Sequence, residues 1–125
     1  MPFLKSLAED AGPPAVFEKY PELYGPWAEM SEMLMNGASP IDRAERELLL
    51  AFAAGVAGCR FVYVAHSEVA YERGIREGLL DELLVSIDDS EIRPELKPVL
   101  RYVKKLVESP AGMVQSDADA VLAAG

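Results

Sequence analysis

Apolar residues recur along most of this chain at steps of three and four, the spacing that places side chains on one face of an α-helix. Leu23, Trp27, Met30 and Leu34 form the first such stripe. Pro21 opens it, Asn36-Gly37 closes it, and Pro26 falls early enough to bend the first turns without ending the helix. Ile41, Ala44, Leu48, Phe52 and Val56 form the second stripe and run down to Gly55 and Gly58. Ser39 is its expected cap, with Pro40 in the first helical position and Asp42 in the third. A third helix is expected from about Cys59 to Arg73, with Gly74 as its C-terminal cap. A short one follows over Gly78 to Val85, then a turn around Asp88-Asp89-Ser90. Pro94 is expected to open a long helix with the stripe Leu96, Val99, Val103 and Leu106, stopped by Ser109-Pro110-Ala111-Gly112. Ser116 with Asp119 suggests the cap of a last one. Strand-like alternation is confined to Phe61–Ala65, where helical flanks outvote it. The pattern predicts an all-α fold of about six or seven helices. Residues 1–14, ending in Gly12-Pro13-Pro14, read as an irregular arm, and 15–125 as a single helical domain.

Composition narrows what such a fold can do. The 125 residues suit one domain, and half of them are hydrophobic, enough for a modest core. A formal charge of -9 argues against nucleic acid or an anionic membrane surface as partner. No apolar run approaches the ~20 residues that span a bilayer, and the first ten residues lack the pattern of a secretory signal. Cys59 is the only cysteine, so an internal disulfide is impossible and a reducing cytoplasm is the expected location.

The stretch from Glu45 to His66 carries the candidate chemistry. Cys59, Val62, His66, Ala70 and Arg73 share one helical face, which invites a nucleophile–base reading. Yet seven residues of helix put Cys59 and His66 about 10 Å apart along the axis, too far for a hydrogen bond. The position one turn from each is 62, and it holds valine. Cys59 after Gly58 sits at a helix start, where unpaired N–H groups favour a thiolate. A lone cysteine is more often a small buried apolar residue, and a lone histidine is as often structural as catalytic. Glu47, nineteen residues before His66, can meet that face if the two helices form a hairpin, and a buried carboxylate there would orient the imidazole. Glu45 and Glu68 are expected to be solvated. The sequence shows no metal-ligand spacing and no phosphate-binding glycine loop, so no cofactor or metal is expected. Met30, Met33 and Met35 read as helix filling.

At these residues the chain resembles the alkylhydroperoxidase D-like (carboxymuconolactone decarboxylase) family, in its peroxidase-related branch. The likeness lies in Ser39-Pro40-Ile41-Asp42-Arg43-Ala44-Glu45-Arg46-Glu47, in Gly58-Cys59-Arg60-Phe61-Val62-Tyr63-Val64-Ala65-His66 followed by Gly74, and in Leu100–Leu106 with Pro110 and Asp117–Gly125. The resemblance implies an alkylhydroperoxidase D-like helical bundle, a homo-oligomer, and a family role in peroxide reduction and antioxidant defence. It assigns Glu47 to the family's glutamate, Cys59 to the resolving cysteine and His66 to the histidine that activates the peroxidatic one. Phe61, Val62 and Tyr63 would line the substrate pocket. Val62 stands where the peroxidatic cysteine belongs, and Phe61 where the dithiol enzyme's relay has a further histidine. The family's usual reaction, thiolate attack on a hydroperoxide followed by a disulfide, is therefore not expected. The chain also stops at Gly125, where members of this branch continue.

Two functions fit this reading. One is a diverged enzyme whose pocket of Glu47, Cys59, Val62 and His66 takes a hydroperoxide, carbonyl or lactone ligand. The other is a non-catalytic oligomeric binding or scaffold protein on the same fold.

Overall fold

The computed structural model describes residues 5–125, and within them the chain is all-helical, with seven α-helices. The Met1-to-Leu4 part of the expected arm lies outside the described residues. The backbone divides into two compact units, the first ending at Ser39 and the second spanning Pro40–Gly125.

The first unit is a pair of helices, α1 (Pro13–Lys19) and α2 (Pro21–Asn36), each with proline in its first turn, where the missing N–H costs nothing. Helix α1 thus begins two residues inside the stretch expected to be irregular. Helix α2 has the expected bounds and continues through Pro26. Phe17 of α1 packs on Tyr24 and Trp27 of α2, with ring centroids 4.8 and 4.9 Å apart. None of the residues of α1 or α2 is buried.

The second unit holds α3 (Arg43–Val56), α4 (Arg60–Glu72), α5 (Leu79–Val85), α6 (Leu96–Glu108) and α7 (Gln115–Ala124). A single 3₁₀ turn over Pro110–Gly112 separates the last two. Helices α3 and α4 form the antiparallel hairpin the sequence suggested. Gly58, at φ 71°, supplies the left-handed residue that turns the chain, and the Cys59 N–H donates back to the Ala54 carbonyl at 2.8 Å. Leu48, Ala51 and Phe52 of α3 meet Ala70 of α4, Leu79, Leu80 and Leu83 of α5, and Leu96 and Leu100 of α6. Six of these side chains are fully buried: Phe52, Leu48, Leu80, Leu83, Leu96 and Leu100. Each contributes about 1.5–3 kcal/mol relative to exposure.

Three expected helix starts are displaced. The cap of α3 is Asp42, not Ser39: its Oδ1 accepts the Glu45 N–H at 2.8 Å, and Glu45 Oε2 accepts the Asp42 N–H at 3.1 Å. That reciprocal box outbids a serine with no glutamate or glutamine three residues on. Helix α6 starts at Leu96, because Pro94 and Glu95 form the turn before it. Helix α7 starts at Gln115, where Asp117 accepts the Val114 N–H at 2.8 Å, and Ser116 is already inside the helix. The buried face of α6 is Leu96 and Leu100, with Val99 and Val103 beside them, while Leu106 is 46% exposed.

Candidate functional site

Helix α3 carries Glu47 in its second turn, between positions whose neighbours Leu48 and Ala51 are in the core. The residue is only 5% exposed. An ionised carboxylate so placed is costly unless charges and hydrogen bonds meet it. Helix α4 supplies both. His66 Nδ1 lies 2.6 Å from Glu47 Oε2, and Arg73 Nη1 lies 3.1 Å from Glu47 Oε1. The two oxygens of one buried carboxylate are thus held by two residues two turns apart on the facing helix. A carboxylate only accepts, so the 2.6 Å contact assigns a proton to His66 Nδ1. Nε2 of the neutral ring then carries the free lone pair. The imidazole side chain is 31% exposed.

The neighbouring hydroxyl offers no alternative nucleophile. Ser67 is buried, and its Oγ donates to the Tyr63 carbonyl at 2.7 Å and approaches the Val64 carbonyl at 3.1 Å. Such back-bonding to the preceding turn occupies the proton that a nucleophilic serine would hand to a base.

Cys59 lies at the other end of α4. It is the N-cap residue and its thiol is exposed. It opens on a cleft of about 240 Å³, lined also by Gly55, Arg60, Tyr63, Asp81 and Leu84. There the Tyr63 hydroxyl donates to Asp81 Oδ1 at 2.7 Å. Burial, and then the adjacent Asp81 carboxylate, push the Tyr63 phenol well above its ordinary value, so it stays protonated and acts as a donor. Of the positions singled out in the sequence, Glu47 and His66 come together. Tyr63 joins Cys59 at the cleft, Val62 is half-buried on α4, and Phe61 is 57% exposed.

Two residues play parts that sequence reasoning did not give them. Arg73 was visible on the Cys59–His66 stripe, two turns beyond His66, but nothing in its spacing names Glu47 as partner. Glu45 is not solvated: its side chain is 13% exposed, completes the α3 cap and is clamped by the Arg93 guanidinium. The expectation failed because Arg93 is 48 positions away along the chain. Among the described residues no group of three His, Cys, Asp or Glu side chains is placed to hold a metal ion. None of the described helices is long and apolar enough to cross a membrane.

A scan against models of known protein families finds no match for this chain, and a search of curated proteins finds none either.

Proposed function

We propose that the chain is a diverged alkylhydroperoxidase D-like protein that keeps an acid–base centre, Glu47–His66, after losing dithiol peroxide chemistry. The observation that carries this reading is the 2.6 Å contact between His66 Nδ1 and a nearly buried Glu47 carboxylate across the α3–α4 hairpin. These are the glutamate and histidine that the resemblance assigns to the site. The carboxylate orients the ring and stabilises imidazolium, and Nε2 takes or returns a proton at a bound ligand. Val62 leaves the ring no thiol one turn away to activate. The substrate class that suits such a centre is a small carbonyl compound or lactone with a removable proton. One-cysteine peroxide reduction at Cys59, with an external thiol as resolver, is the redox version of the same proposal.

The two versions separate in a paired assay. Acid–base turnover is expected to be lost in His66→Ala and kept in Cys59→Ser. Thiol-dependent peroxide consumption is expected to show the reverse sensitivity to Cys59. Equal, background-level peroxide consumption by the native protein and Cys59→Ser removes the redox version.

A second reading, an oligomeric binding or scaffold protein, draws on the apolar side chains left outside. Phe61 and Val64 of α4 are 57% and 45% exposed, and Leu122 of α7 is 76% exposed. Exposed apolar side chains can serve contacts between molecules where they gather into a patch. A carbonyl and lactone screen without turnover, together with a dimer or larger assembly that Phe61→Glu dissociates, favours this second reading.

A further inference from the structure

Arg73 is the residue at which α4 ends, immediately before Gly74 at φ 106°. Its Nη1 serves two oxygens of α3, Glu47 Oε1 at 3.1 Å and the Arg43 carbonyl at 3.3 Å. Arg43 is the first residue of α3 and Glu47 lies one turn further on. One side chain therefore pins the end of α4 to the first turns of α3 at a fixed register.

We propose that Arg73 is a positioning residue that selects the tautomer of His66: by holding Glu47 Oε1 it aims Oε2 at Nδ1, so the ring keeps its proton there and leaves Nε2 as the base. This role rests on Glu47–His66 being the working centre. Two physical arguments support it. The terminal torsion of a glutamate is broad, so a carboxylate held through one oxygen alone swivels. The second oxygen's partner removes that freedom. In addition, the guanidinium meets the charge of the buried carboxylate, so the cluster is electroneutral with an uncharged imidazole. Without Arg73, the carboxylate can swivel and Oε2 is no longer aimed at Nδ1.

The test uses the full chain labelled with ¹⁵N and a two-bond ¹H–¹⁵N correlation of the imidazole. His66 is the only histidine, so a single ring pattern is seen. At about pH 9, above the ordinary imidazole value of about 6.5, the native protein is expected to show protonated Nδ1 and bare Nε2, in a ratio of about tenfold or more. Arg73→Met is expected to lower that ratio about tenfold. Arg73→Lys is expected to lower it by less, because an ammonium supplies the charge without the planar fork. A native ratio in an Arg73→Met protein of unchanged helical circular dichroism overturns the proposal. If Arg73→Met loses its helical signal, Arg73→Lys decides: a lowered ratio supports the role and a native ratio overturns it. A native protein with its proton on Nε2 has no Glu47–His66 bond, and that result removes the functional reading along with the role of Arg73. A native Nδ1–H ring indifferent to Arg73 removes only the latter.

Discussion

Helices α2 and α3 each carry an apolar stripe at helical spacing, and their environments are opposite. In α2, Leu23, Trp27, Met30 and Leu34 are between 47% and 70% exposed. In α3, Leu48 and Phe52 are 0% exposed. Each stripe follows from periodicity, which states that a face exists but not what covers it. The chain turns back at Gly58 and lays α4 on α3, and the α5 and α6 leucines fill the remaining sides. Helix α2 meets an aromatic ring from α1 and leaves its longer apolar side chains outside. The candidate site sits on the buried helix, where the Glu47 carboxylate is withdrawn from water and meets the imidazole at 2.6 Å.

The largest difference between these helices is expected on truncation. Leu48→Ala or Phe52→Ala should destabilise the protein by about 3–4 kcal/mol, the cost of a core cavity. Leu23→Ala should change stability by no more than about 0.5 kcal/mol, as at other surface positions. Denaturant unfolding measures both, and similar losses at Leu23 and Leu48 would mean that the α2 stripe is covered in solution. Next in size is Glu47→Ala, which strips the shared acceptor from His66 and Arg73. About 2 kcal/mol is expected, less than for a fully buried pair because both partners are about one-third exposed.

Capping should follow at about 1 kcal/mol. Asp42→Ala removes the acceptor of the Glu45 N–H and loosens the start of α3. Ser116→Ala should have little effect, and a loss there matching that at Asp42 would restore Ser116 as the cap of α7. The smallest effect concerns acid. The Lys105 ammonium, 2.6 Å away, followed by the Val114 N–H, holds the Asp117 carboxyl below its ordinary range. A carboxyl depressed in the folded state adds stability above its unfolded value, about 3.9, and loses it as pH falls through the lower folded value. Amide exchange in α7 is therefore expected to rise below about pH 4 ahead of exchange in α3.

Most of the fold was legible because helix-forming information is local. The 3–4 spacing, Asn36-Gly37, Gly58 and Gly74 mark their elements correctly. Helix starts were less legible: Asp42 takes the cap expected at Ser39, Asp117 binds the Val114 N–H ahead of Ser116, and Pro94 with Glu95 forms a turn before α6. Glu47 and His66 could be paired from the hairpin alone. Arg73 and the Glu45–Arg93 clamp could not, because the first depends on how α3 and α4 are rotated against each other and the second on where the loop before α6 lies, neither of which the order of residues along one helix encodes.

On the proposed function, the Glu47–His66 pair lacks only a sulfur at position 62. Val62→Cys places a thiol one turn before His66 and three residues after Cys59, in the Cys-x-x-Cys spacing that lowers thiol pKa at helix starts. Consumption of an organic hydroperoxide by this variant, with an external dithiol as reductant, tests the claim directly. The expected result is a gain on the order of 10²-fold over the native protein, abolished by adding His66→Ala. A folded Val62→Cys protein no faster than the native one would contradict it.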